Sequence, residues 1–281
     1  MGMSINTNLS ALNTYRNLNS TQNDLSKSLE KLSSGLRINR AADDAAGLSI
    51  SEGLKSQVGG LTVAARNAQD GISVVQTAEG GLTETHSILQ RMRDLAVQAG
   101  NDSNNEDSRT AIGAEATELT AELTRIAGST NFNGINLLDG SAGAAGDGKL
   151  TFQVGADGNA NSQITVDLGS ANVNDIVTGL GTLDFSTATG AQAAITTIDT
   201  QIKAVSTARS TIGAIQNRLD HAINVTNVAK ENLTAAGSRI TDVDMAEEMV
   251  KYTRDNILSQ AGTSMLAQAN QSTQNVLSLL R

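Results

Sequence analysis

Residues 11–36 read ALNTYRNLNSTQNDLSKSLEKLSSGL. Counted from Ala11 in alternating steps of four and three, Tyr15, Leu18, Gln22, Leu25, Leu29, Leu32 and Leu36 fall on one line. Apolar side chains at that spacing form a stripe along one helix and present it to another, as in a coiled coil. Gln22 alone interrupts the stripe. An ordinary amphipathic helix lying on a core would show the same pattern over so short a stretch. Repetition along the chain tips the reading towards long helical seams.

A second seam passes through Leu54, Val58, Leu61, Ala65, Ala68, Ile72 and Val75, skips three residues to Ala78, and continues through Leu82, Thr85, Leu89, Met92, Ala96 and Ala99. A three-residue skip overwinds a supercoil locally. Read as one helix of roughly 55 residues, the segment spans on the order of 80 Å. Gly59, Gly60, Gly71, Gly80 and Gly81 lie inside it, and each costs about 1 kcal/mol relative to Ala. The seam keeps its register past Gly59-Gly60 and Gly71, so the reading favours an unbroken helix whose small residues admit a close neighbour. Ser103 and Glu106 then have the spacing of a capping box, opening a helix with the seam Ile112, Ala116, Leu119, Leu123 and Ile126.

The β signal comes mid-chain. Leu150, Phe152 and Val154 alternate with polar residues, as do Ile164, Val166 and Leu168, with Asp157-Gly158 between them; this reads as a hairpin. Residues 141–200 are rich in Gly, Ala, Ser and Thr and carry a net charge of −5, which reads as a solvated surface. A fourth seam covers Ile195, Ile198, Ile202, Val205 and Ala208, then Ile212, Ile215, Leu219, Ala222, Thr226, Ala229, Leu233 and Ala236. The last passes through Leu258, Ala261, Met265, Ala269, Ser272, Val276 and Leu279. The expected fold class is mainly α: long antiparallel helices and a terminal coiled coil, with a small β-hairpin region at the chain midpoint.

Composition narrows the function. The chain has 281 residues, which suggests about two domains, and its apolar content is aliphatic, with three Phe, two Tyr and no Trp. Such a core suits aliphatic seams better than a deep ligand pocket. Zero Cys removes disulfides, thiolate metal sites and Cys nucleophiles. The net charge of −9 argues against nucleic-acid binding, and no apolar run approaches the roughly 20 residues of a membrane helix. The N-terminus lacks the charged and apolar regions of a cleaved secretory signal, and Asn6 stands where a myristoylation pattern wants Ser or Thr.

No constellation amounts to a catalytic, cofactor or metal site. His86 reads as a surface or interface residue, and His221 follows Asp220 in a helix, where consecutive residues point apart. Asp43-Asp44 reads as a helix start; Asp242 and Asp244 alone make no metal site. The glycines lack the Gly-Lys-Ser/Thr ending of a phosphate loop.

Residues 1–40 carry a net charge of +3 and residues 241–281 a net of −2, which favours pairing of the terminal segments. In that pair Leu18, Leu25, Leu29, Leu32 and Leu36 are expected to face Leu258, Met265 and Val276. Two helices cannot cover all their own apolar surface, so part of it is left for neighbouring subunits.

Several stretches resemble bacterial flagellins. They are Ser4-Ile5-Asn6-Thr7-Asn8, Leu32 to Asn39, Ala41 to Leu48, Phe132-Asn133-Gly134, Phe152 to Gly155, and Asn256 to Arg281 (NILSQAGTSMLAQANQSTQNVLSLLR). The resemblance covers residues 3–155 and about 190–281. It implies a secreted, extracellular structural subunit that polymerises with itself into the filament used for swimming. It also implies passage through a type III export apparatus, an export chaperone on the C-terminal segment, and hook-associated and cap proteins as neighbours. The implied layout is an inner coiled coil (D0) from residues 1–43 and 239–281, with an assembly seam of Leu18, Leu25, Leu29, Leu32, Leu36, Leu258, Met265, Val276 and Leu279. A second shell (D1) takes residues 44–140 and 191–238, and residues 141–190 form a short variable region. Gln90 to Gln98 resembles the segment recognised by the flagellin-sensing Toll-like receptor; Gln90, Arg91 and Leu95, with Glu122 as the acid on the adjacent helix, are the implied contacts. A hook–filament junction protein shares the terminal heptads and remains the alternative. An enzyme carried on such a scaffold would need a catalytic insert that 141–190 does not offer.

Overall fold

The computed structural model describes residues 8–279, with side chains through Ser272. The elements run α1 (Leu9–Ser34), α2 (Ala45–Ala99), α3 (Glu106–Ser129), β1 (Asn131–Phe132), β2 (Ile135–Asn136), β3 (Lys149–Gln153), β4 (Gln163–Asp167), α4 (Val173–Leu180), α5 (Ala188–Thr241) and α6 (Met245–Leu279). The fold is mainly helical, with its two small antiparallel strand pairs near mid-chain. It divides into two compact units: unit 1 is Met1–Ser56 with Asn232–Arg281, and unit 2 is Gln57–Glu231.

Unit 2 holds the main core. Along α2 the residues after the three-residue skip are buried without exception: Ala78, Leu82, Thr85, Leu89, Met92, Ala96 and Ala99. They meet Leu123 and Ile126 of α3 and Ile198, Val205, Ile212 and Leu219 of α5 in one continuous cluster. The helix is unbroken through its glycines, and two of them show why. A Cβ on Gly71 would lie 3.3 Å from the Phe152 ring, and one on Gly81 would lie 2.6 Å from Leu138 Cδ1. A bare backbone there lets β3 and the segment after β2 lie directly on α2.

The β3–β4 hairpin pairs Leu150 with Val166 and Phe152 with Ile164, so the alternating apolar residues share one face. Asn67 Nδ2 donates to the Gln153 carbonyl (3.1 Å) and the Thr226 hydroxyl to the Val154 carbonyl (3.4 Å), tying β3 and the residue after it to α2 and α5. Asn133 and Gly134 both have positive φ, 51° and 79°, as the tight turn joining β1 to β2 requires.

Two local expectations are corrected. The cap of α3 is Asn105, not Ser103: Asn105 Oδ1 accepts from the Ser108 amide at 2.8 Å. Ser103 is taken by the preceding turn, where its amide donates to Asn101 Oδ1. Replacing Asn105 by Ala removes this bond at a cost of about 1 kcal/mol. Thermal unfolding is expected to shift down by ~2–4 °C for a unit of this size; calorimetry of Asn105→Ala checks it. The second correction concerns residues 141–200, which are not simply a solvated surface. Ala171, Val173, Ile176, Leu180 and Phe185 are buried, and α4 packs on α3. Eight residues are too few to display a heptad line, which is why the sequence pattern missed α4.

Candidate assembly interface

Unit 1 is built on α1 and α6. Asn8 Oδ1 caps α1 by accepting from the Ala11 amide, and Asp244 Oδ1 caps α6 by accepting from Ala246 and Glu247. Between them, Gly35 ends α1 with φ 74°, a left-handed conformation that costs Gly little. The chain then bonds across to the end of α5: Arg37 donates its amide to Thr241 O (2.6 Å), and the Val243 amide donates to Gly35 O (3.1 Å). The start of α2 is held by carboxylates. Asp44 Oδ1 accepts from the Gly47 amide, and Asp43 Oδ2 accepts from Asn39 and Arg40. The Arg40 amide is the main reason the Asp43 carboxyl titrates below its ordinary value.

The two terminal helices run antiparallel. Asn8 Nδ2 donates to Ala269 O at 2.9 Å, Leu18 lies against Gly262, and the Ser28 hydroxyl donates to Glu248 at 2.6 Å. On α1 the covered or half-covered positions recur as Ala11, Thr14, Leu18, Thr21, Leu25, Ser28 and Leu32; on α6 they are Glu248, Tyr252, Asp255, Ser259, Gly262, Leu266 and Ala269. Both rows keep the alternation of three and four that heptad packing demands. Short side chains dominate the contact.

That geometry corrects the expected pairing. Leu18, Leu25 and Leu32 do face α6 and are half-buried. Tyr15, Leu29 and Leu36 are exposed, and so are Leu258 and Met265, which lie on sides of α6 turned away from α1. Leu9 and Leu12 on α1 and Met249, Val250 and Ile257 on α6 are exposed too. Met249, Val250, Thr253, Arg254, Ile257 and Leu258 line a shallow, largely apolar depression. Val276 and Leu279 lie outside the residues whose side chains are described, as do the expectations for residues 1–7. Among the described residues, Arg37 and Arg40 form their ion pairs with Asp44 and Glu30.

The 90–98 segment lies on α2 in unit 2. Arg91 is exposed and forms an ion pair at 2.7 Å with Glu115 on α3. Glu122 does not meet Arg91; it pairs with Arg125 on its own helix at 2.6 Å, and that guanidinium holds its carboxyl below the ordinary value. Gln90 is exposed and bonded to His86. Leu95 is 2% exposed and belongs to the core, so it presents no surface. Glu115 is the residue that sequence reading missed: it lies 24 residues from Arg91, a separation that only the docking of α3 on α2 makes meaningful. Among the described residues there is no cluster of three or more His, Cys, Asp or Glu that would hold a metal.

The model of the bacterial flagellin N-terminal helical region matches residues 5–143, and that of the C-terminal helical region matches residues 195–280. The chain belongs to the bacterial flagellin family. It is 53% identical over 279 residues to a flagellin of Halalkalibacterium halodurans, covering 99% of this chain and 100% of that one. It is 50% identical over 307 residues to a flagellin of Bacillus subtilis, with the same coverage. Among solved structures, Bacillus cereus flagellin aligns with a TM-score of 0.50 and 34% identity, covering 57% of this chain and 88% of that one. As a flagellin the chain is a structural protein, not an enzyme. The two matched regions flank residues 144–194, which hold both β3–β4 and α4.

Proposed function

We propose that this flagellin polymerises with itself into the flagellar filament through the outward faces of α1 and α6. One observation carries the reading. The terminal pair spends its Thr, Ser and Gly positions on its own contact and leaves Leu9, Leu12, Tyr15 and Leu29 on one helix, and Val250, Ile257, Leu258 and Met265 on the other, open to solvent. An exposed apolar surface of this extent marks an interface. Two different faces that bury each other between successive copies make a heterologous contact, which propagates as a helical polymer. In this proposal the assembly seam comprises the exposed Leu29, Leu36, Leu258 and Met265, with Val276 and Leu279 further along α6. Leu18, Leu25 and Leu32 hold the pair that presents them. Adding the chain to short filament seeds and sedimenting the mixture tests this: long filaments are expected, and a chain that stays monomeric on seeds would favour a junction or capping role.

The same face accounts for the other partners we propose. An apolar helix face must be covered before assembly, which is the task of an export chaperone on the C-terminal segment. We further propose delivery to the outside of the cell by a type III apparatus and contacts with hook-associated and cap proteins at the filament ends; family membership supports both.

For innate recognition we propose that Gln90 and Arg91, with the acids Glu115 and Glu122 on α3, are what a flagellin-sensing Toll-like receptor meets. Gln90, Arg91 and Glu115 are exposed and Glu122 is half-exposed, which supports the reading. Arg91→Ala with Glu122→Ala is expected to lower receptor signalling about tenfold, because charge-assisted contacts contribute roughly 1.5–3 kcal/mol. Thermal unfolding should move little, since exposed ion pairs add about 0–1 kcal/mol. Unchanged signalling in a reporter assay would refute it. Leu95→Ala is expected to act through stability instead.

A further inference from the structure

Sulfur in this chain is confined to methionine, since the sequence has no Cys. Among the described residues the methionines divide into two kinds. Met92 is fully buried in the core of unit 2, whereas Met245, Met249 and Met265 are 48%, 50% and 61% exposed on α6. None of the three belongs to the row that meets α1. Met249 lines the apolar depression beside Val250, Ile257 and Leu258. Met265 follows Leu258 by seven residues, which sets both on one side of the helix.

A thioether is flexible and polarizable and suits an adaptable apolar contact. Its sulfur is also the reactive atom. A hydroperoxide transfers its terminal oxygen to the sulfur lone pair as the O–O bond breaks, so that the thioether is oxidised to the sulfoxide and the peroxide is reduced to water or an alcohol. The product is polar and a strong hydrogen-bond acceptor. Around Met249 the lining residues Val250, Ile257 and Leu258 carry no side-chain donor, whereas Thr253 and Arg254 do. Burial under a second copy strips the sulfoxide of water on a largely apolar face, and burying an acceptor that is left unpaired is unfavourable.

We propose that Met245, Met249 and Met265 are separate positions of reversible oxidation on the exposed sides of α6, and that sulfoxide formation there keeps the subunit out of the polymer. The inference rests on the assembly reading given above. Oxidation acts on the free chain, because a second copy seated on α6 shields the sulfurs. Met92 is spared by its burial and serves as an internal reference. Sulfoxide reductases return the subunit to the competent pool.

The test treats the free full-length chain with dilute hydrogen peroxide, maps added oxygen by peptide mass spectrometry, and follows elongation of filament seeds. The variant M245L/M249L/M265L keeps the apolar volume and removes the sulfurs. One oxygen is expected on each of the three exposed methionines and none on Met92. Elongation of the native chain should fall about tenfold, as for one buried acceptor left unpaired, and recover after reductase treatment. The variant should elongate equally before and after peroxide. Unimpaired elongation of the oxidised native chain overturns the inference and leaves the assembly reading standing. Equal loss by the variant also overturns it, placing the sensitive group elsewhere. Failure of the untreated native chain to elongate seeds overturns the assembly reading, and this inference with it.

Discussion

Leu258→Asp is expected to abolish seeded elongation while leaving the monomer folded. Leu258 is half exposed on α6 and makes no part of the row that meets α1, so the isolated chain loses little when it changes. In the polymer the new carboxylate would sit desolvated beside Val250, Ile257 and the next copy, with Arg254 one turn before it on the same lining. Taking the charge out of water costs several kcal/mol, which a pair with Arg254 repays only in part, and elongation should fall on the order of 100-fold or more. Leu29→Asp on α1 is expected to behave alike. Calorimetry of unit 2 should be unchanged in both, which separates an interface defect from misfolding. Normal filaments from both variants would mean that the outward faces do not carry assembly.

The second large effect lies in the core. Leu82 is fully buried among the side chains of unit 2. Truncation to Ala deletes three heavy atoms and leaves a cavity that two long helices cannot readily collapse. Such changes cost roughly 2–5 kcal/mol. For a unit of this length a loss of about 3 kcal/mol corresponds to a fall of ~6–12 °C in Tm, measurable by differential scanning calorimetry. Seeded elongation below that temperature should persist, because the assembly face belongs to unit 1. The two substitutions therefore have opposite signatures: Leu258→Asp spares stability and removes assembly, and Leu82→Ala does the reverse.

The long helices were legible because a period of three and four repeats over many turns, and the buried run from Ala78 to Ala99 matches that period residue by residue. The partner of each stripe was not legible. Two heptad lines on α1 share Ala11, Leu18, Leu25 and Leu32; one adds Tyr15 and Leu29, the other Thr14, Thr21 and Ser28. Apolarity alone selects the first. The chain uses the second for its own pair, because short side chains let two helices approach closely: a Cβ on Gly262 would already lie 3.2 Å from Leu18 Cδ1. The larger apolar residues are thereby left for contacts that one copy cannot make. Similarly, the Arg91–Glu115 pair needs the docking of α3 on α2, which no local pattern encodes, and α4 is shorter than the repeat that reveals its neighbours. The hairpin was readable in register because its alternation is local and the period is two.

On the proposed assembly, the outward faces of α1 and α6 are covered by other copies of the chain. Hydroxyl-radical footprinting of the free chain and of the assembled filament measures this directly, since radicals label exposed aliphatic and aromatic side chains. Labelling of Leu9, Leu12, Tyr15, Leu29, Ile257 and Leu258 is expected to drop on polymerisation, while Leu82 and Leu219 stay unlabelled in both states. Equal labelling of those six in monomer and filament, with protection confined to unit 2, would contradict it.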